Sequence, residues 1–344
     1  MRSKPRAVDL FCGAGGLTEG LRQAGFRVIG AVELDPLAAS TYRLNHETVR
    51  LWEQDIRHLT GTAVMKALRI RAGELELLAA CPPCQGFSTM RTKNGTRRNR
   101  DRRNDLIFEV LRLVRSIRPK SVMLENVPGL ASDRRFEAFR KGLESLGYSV
   151  KSSVLNAVDF NVPQRRRRLV VLASTVGSPD FARKARVVAT VRRAIGHLGT
   201  RTRSRDPLHN YSTRLTHKVK DLIHRIPHDG GSRRDLGPTA QLRCHQRLEG
   251  FHDVYGRMAW DKPAPTITGG CINPSKGRFL HPRANRPVTL REAALLQTFP
   301  RSYQFSLDKG RYPAAVLIGN ALPPEFIRRH ANALKKTLLA SRSA

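Results

Sequence analysis

Through the first half of the chain, short apolar runs ending at polar, Gly or Pro residues alternate with stretches of helical spacing. Residues 7–11, 28–33, 75–80, 121–125 and 169–173 read as buried parallel strands, because their apolar positions are consecutive. A further strand ends at Asp55-Ile56. Between the strands, residues 18–24, 106–118 and 135–146 carry helical spacing with charged outer faces. Repeated strand–helix units predict a doubly wound α/β sheet whose ligands sit at the carboxyl ends of its strands. Gly13, Glu33, Cys84 and Glu125 all fall just after, or at the end of, a strand in this reading.

Near Gly177 the pattern weakens. From there to about Tyr255 the chain is rich in Arg, His, Gly and Asp, which suggests a smaller, loop-rich, basic domain. Patterning returns at Met258, and residues 326–339 form an amphipathic helix suited to closing the first domain. The expected division is 1–176 for a catalytic and cofactor-binding domain, 177–256 for a second domain, and 257–344 for a return to the first.

Charge changes the picture more than composition does. The chain of 344 residues has 62 Lys and Arg against 28 Asp and Glu, a formal charge of +34. Such an excess costs self-repulsion and points to a polyanionic partner whose counterions are released on binding. Five cysteines, odd in number and irregular in spacing, argue against a disulfide framework and for a reducing compartment. Cys81 and Cys84 form a C-x-x-C, but two prolines fill it and no second pair lies at zinc-ribbon spacing, so no metal is expected. The start of the chain leaves no room for a signal peptide, and no apolar run is long enough to cross a membrane. The expected place is the cytoplasm, with the nucleoid in a bacterial host.

Asp9-Leu10-Phe11-Cys12-Gly13-Ala14-Gly15-Gly16-Leu17 is a strand, a glycine-rich turn and a helix start, which lets backbone approach a nucleotide-like ligand. Glu33, 18 residues past Gly15, can accept hydrogen bonds from ribose hydroxyls. The G-x-G-G pattern departs from the G-x-G-x-x-G of nicotinamide dinucleotide sites. Cys81-Pro82-Pro83-Cys84-Gln85-Gly86-Phe87-Ser88 follows a strand, with prolines able to fix the direction of a thiol. Leu124-Glu125-Asn126-Val127-Pro128 ends another, so a thiol and a carboxyl at neighbouring strand ends make a nucleophile and an acid.

At these residues the sequence resembles the cytosine-5 DNA methyltransferase family, over nearly its whole length. D-L-F-C-G-A-G-G-L, P-P-C-Q-G-F-S and E-N-V are similar to the family's cofactor, nucleophile and acid motifs. Gln164-Arg165-Arg166-Arg167-Arg168 resembles its Q-x-R-x-R motif. The segment from Arg257 to Thr268 resembles the one after its recognition domain, and Gly319-Asn320-Ala321-Leu322-Pro323-Pro324 its closing motif. The resemblance implies a mixed, mostly parallel seven-stranded sheet. It also implies S-adenosylmethionine as cofactor, duplex DNA as substrate, and a setting in restriction–modification. Cys84 would attack carbon 6 of a flipped cytosine, Glu125 would stabilise charge at ring nitrogen 3, and Arg168 with Arg166 would steady the ring and the acid. Asp9, Phe11, Gly13, Gly15, Gly16, Glu33, Asp55, Ile56 and Asn320 would bind the cofactor.

Residues 88–103 form a basic loop suited to clamping phosphates and closing on an extruded base, with Ser88, Arg91, Arg97 and Arg98 as DNA contacts. Gln164 is a further expected contact. Met90 is either a wedge that refills the base stack or a residue packed under the lid. Trp260 reads as a packing residue. Residues 177–255 would read base edges, and the enzyme is expected to act as a monomer. Among rival readings, the family's tRNA-methylating branch carries a Cys-Phe-Thr tripeptide that is absent here. A non-enzymatic DNA-binding protein would leave the cofactor turn and the Cys84–Glu125 pair idle.

Overall fold

The computed structural model describes residues 4–83, 102–199, 204–210, 215–237 and 253–340. The strands are β1 (Arg6–Leu10), β2 (Arg27–Glu33), β3 (Arg50–Glu53), β4 (Leu77–Ala80), β5 (Ser121–Asn126), β6 (Ser149–Asn156) and β7 (Arg167–Ser174). The helices are α1 (Gly16–Gln23), α2 (Pro36–Asn45), α3 (Gly61–Leu68), α4 (Leu106–Ile117), α5 (Arg134–Glu144), α6 (Val191–Ile195), α7 (His217–Arg225), α8 (Leu290–Leu296), α9 (Arg311–Asn320) and α10 (Pro324–Ala340). The chain divides into two compact units. One comprises residues 1–160, 167–184 and 322–344, and the other residues 161–166 and 185–321.

The first unit is a seven-stranded sheet of order β3-β2-β1-β4-β5-β7-β6. Pairings among β1 to β5 are parallel. β4 and β5 are buried along their whole length, as expected of strands covered on both faces. α4 supports them with Ile107, Val110, Leu111, Leu113, Val114 and Ile117, one apolar stripe facing the core. From β1 the chain moves outward through β2 and β3, then returns to the other side of β1 as β4. This reversal is a topological switch point, where α/β sheets place their ligands.

Residues 169–173 do not run parallel, contrary to the sequence-based expectation. β7 is antiparallel to both β5 and β6. A parallel return would require a crossover helix, whereas the link from β6 holds only a 3-10 turn, Ala157–Phe160, before a short irregular stretch. β6 escaped prediction because it is a half-exposed edge strand containing Ser149, Lys151, Ser152 and Ser153.

The second unit has α6 to α9 and, among its described residues, isolated bridges in place of a sheet. Buried polar side chains tie it together. Arg257 is wholly buried and donates to the carbonyls of Ile223, Ile226, His281 and Ala284 and to Asn285 Oδ1. Glu292 caps α8 through a box with Thr289 and pairs with Arg286 at 2.7 Å.

Candidate active site

β1 ends in a turn where Phe11, Gly13 and Gly15 have φ of 61°, 54° and 88°. The two glycines adopt this left-handed region readily; Phe11 is a strained outlier of the kind that collects at binding sites. A Cβ at Gly13 would meet nothing within 4 Å, so the space beside the turn is open. Gly16 opens α1 and is buried. The Gly13 N–H donates to Glu33 Oε2 at 2.8 Å, while the N–H groups of Leu34 and Asp35 donate to Oε1 at 2.8 Å. Three backbone donors thus fix the carboxylate at the end of β2.

Asp9 is wholly buried. Its Oδ2 accepts from the Thr18 hydroxyl at 2.7 Å, and Oδ1 has no hydrogen-bond partner. Burial pushes its pKa up to about 7. Asp55 is the opposite case: hydrogen bonds from the Arg57 side chain and N–H hold its pKa down at about 2, and it caps the turn that begins at buried Ile56. Leu34 was not singled out from sequence, yet beside Glu33 it is 63% exposed, an apolar face without a protein partner to cover it.

The expected acid lies at the end of β5. Glu125 is 1% exposed; its Oε1 is 2.9 Å from Arg168 Nε on β7, and its Oε2 accepts from the Cys81 thiol at 3.2 Å. Burial pushes the Cys81 thiol well above its ordinary range, and the Glu125 carboxylate adds to that effect. The Cys81 N–H donates to Leu10 O at 3.2 Å, continuing the β1–β4 pairing, and Asn126 Nδ2 donates to Pro82 O at 3.0 Å. The start of the C-P-P-C segment is therefore pinned to β1 and β5. Cys84 and the expected DNA contacts Ser88, Met90, Arg91, Arg97 and Arg98 lie outside the described residues.

Other expected site residues belong to the second unit. Gln164 is wholly buried there: Oε1 accepts from the Ile267 N–H, and Nε2 donates to Leu296 O and Gln297 Oε1. Its amide is fully engaged with these interior partners. Arg166, 2% exposed, donates through both terminal nitrogens to Gly319 O and through Nη1 to Ile267 O. Arg168, two residues further on and inside β7, instead turns its Nε to Glu125. A Cβ at Gly319 would sit 2.1 Å from the Thr268 carbonyl carbon, so only glycine lets α9 approach that backbone. Asn320 follows at the exposed end of α9. Trp260, expected to pack, meets His281 edge-on at 5.2 Å and lies under the Arg192 guanidinium.

The family model for C-5 cytosine-specific DNA methylases matches residues 6–336. The chain belongs to that family. It is 37% identical to the Type II methylase M.HgiDII of Herpetosiphon aurantiacus, with 96% of this chain and 95% of that protein aligned. The Type II methyltransferase M1.BsuMI of Bacillus subtilis is 33% identical, over 93% of this chain and 78% of its own length. Among solved structures, one described as a prophage-encoded DNA modification methyltransferase of Escherichia coli superposes with a TM-score of 0.74 at 22% identity, covering 98% of this chain and all 100% of that one. That likeness bears on the fold, a mixed and mostly parallel methyltransferase sheet as expected. The chain is accordingly a DNA cytosine-5 methyltransferase.

Proposed function

We propose that this methyltransferase acts on a cytosine flipped out of duplex DNA, with Cys84 as covalent nucleophile, Glu125 as the acid and S-adenosylmethionine as donor. The observation that carries the reading is the Glu125 carboxyl, almost wholly buried between the Cys81 thiol and the Arg168 guanidinium at the ligand edge of the sheet. A buried carboxyl fixed at both oxygens is preorganised to meet charge that develops on a ring nitrogen.

Carbon 5 of cytosine is too weak a nucleophile to be alkylated directly. Addition of the Cys84 thiolate at carbon 6 turns the ring into an enamine, with Glu125 sharing a proton with nitrogen 3. Arg168 holds Glu125 and lends positive potential to the site. Loss of the carbon 5 proton finally expels the thiol. The residues at the end of β1 and β2 suit a nucleoside-bearing cofactor. The space beside Gly13 is open, Glu33 is fixed with acceptor capacity to spare for ribose, and Phe11 and Leu34 offer apolar surface to a purine. Asp55, held ionised, and Ile56 would meet the adenine edge, and Asn320 the methionine end. When bound, S-adenosylmethionine supplies an electrophilic sulfonium methyl.

The charge of +34 suits a duplex backbone, and the basic segment 88–103 follows the nucleophile directly. Residues 177–256 would select the sequence. The relatives named as Type II enzymes favour a modification enzyme in a bacterial restriction–modification system, and a monomer working on DNA in the cytoplasm completes the reading. Among the described residues no helix is long and apolar enough to cross a membrane, and no cluster could hold a metal ion.

Labelled methyl transfer to duplex DNA tests the reading directly. Cys84→Ser should abolish turnover while cofactor affinity stays close to wild type, and DNA carrying 5-fluorocytosine should trap an adduct on Cys84. Ordinary turnover by the variant would sink the mechanism. DNA affinity should also fall steeply with salt, by about five or more decades per decade of salt, at roughly 0.9 per neutralised phosphate.

A further inference from the structure

We propose that Cys81 is a positioning residue for the acid, orienting the Glu125 carboxyl by its S–H bond to Oε2 and moderating how firmly that oxygen holds a proton. The proposal rests on Glu125 being the acid, as argued above. The two carboxyl oxygens stand in unlike surroundings. Oε1 faces a fixed cation, Arg168 Nε at 2.9 Å, which disfavours a proton there. Oε2 faces the Cys81 thiol at 3.2 Å, a neutral and weak donor, and therefore remains the more basic oxygen. Sulfur is also a poor acceptor, so a proton on Oε2 turns away from Cys81, free to be shared with a base. The thiol keeps its own proton, because burial and the neighbouring carboxylate oppose its ionisation. Cys81 is in turn held by its N–H bond to Leu10 O. Among the described residues, Asp9 on β1 also acts on Cys81 through its charge.

A serine at this position would donate more strongly and favour the ionised carboxylate, whereas alanine would donate nothing and favour the neutral acid. The alkaline limb of the kcat–pH profile should therefore move down in Cys81→Ser and up in Cys81→Ala, each by about half a pH unit or more, with cofactor affinity unchanged. A merely structural role would not move the limb in opposite directions. Thermal melts establish that the variants fold, and if Cys81→Ala does not, the shift in Cys81→Ser decides. Infrared spectra offer a second readout: the Cys81 S–H stretch should be lowered in wild type and should move in Glu125→Gln. Limbs that coincide with wild type, in a protein that Glu125→Gln inactivates, would overturn the role of Cys81 and leave the acid assignment standing. Full activity in Glu125→Gln would overturn the acid assignment and this proposal with it.

Discussion

The two units solve the problem of internal cohesion differently. In the first, β1, β4 and β5 pair along consecutive residues, and Leu10, Leu78, Leu124 and the inner face of α4 fill the space between sheet and helix. Backbone groups satisfy one another in the ladder, and side chains need only be apolar and of the right volume. The second unit lacks such a ladder among its described residues, so buried carbonyls must find side-chain donors. Arg257 serves four of them, Arg166 two, and Gln297 Nε2 reaches Ile318 O at 2.6 Å. The lesson is that irregular backbone can be buried when charged or amide side chains replace the missing strand partners, at the cost of making each of those residues hard to substitute.

That contrast can be broken at its most exposed point by Arg257→Met. The variant keeps apolar bulk but removes the side-chain donor from four carbonyls, of which those of Ile223 and Ala284 keep the N–H groups of Ile226 and Arg286, and a loss of about 3–5 kcal/mol is expected. Hydrogen exchange should show the loss confined to residues 185–321. A global loss, or none, would show that the arginine does not organise that unit. In the first unit, Leu78→Ala should cost about 2–5 kcal/mol through transfer and cavity terms, read from urea midpoints, with protection in the second unit retained.

A subtler effect comes from Asp9, a wholly buried ionisable group on β1. Its folded pKa of about 7 lies above the ordinary 3.8, so folding favours the protonated form. Stability from this group is present at low pH and is lost as pH rises through the window between those values. Asp9→Asn should flatten the stability–pH curve there, gaining on wild type by up to about 4 kcal/mol between pH 4 and 8, at roughly 1.36 kcal/mol per unit. Parallel curves would mean that Asp9 titrates elsewhere. The smallest change is expected at the exposed pair Arg192–Asp261, 2.7 Å apart, where Arg192→Ala should leave the melting midpoint where it is. A clear drop there would mean that the Arg192 contact with Trp260 matters more than the ion pair.

Where the candidate residues would fall on the fold was largely legible in the sequence. The glycine turn after β1, Glu33 at the end of β2 and Glu125 at the end of β5 are each set by a few consecutive residues. A tight turn demands glycine and a strand end presents the next polar side chain to ligand, so local sequence suffices to find them. The strands of the inner sheet were legible for a similar reason, since burial on both faces leaves a continuous apolar run. Three things were decided only by tertiary structure. The direction of β7 depends on how the chain returns from β6, which no residue of β7 encodes. Gln164, Arg166 and Arg168 look interchangeable as polar residues of one motif, yet the first two are spent on the interior of the second unit and the third on Glu125. Cys81 read as half of an empty metal motif, and its partner proved to be a carboxylate 44 positions along the chain. Sequence determines the chemistry that consecutive residues can hold. Which buried donor meets which acceptor is a long-range matter, settled when strands distant in the chain are laid side by side.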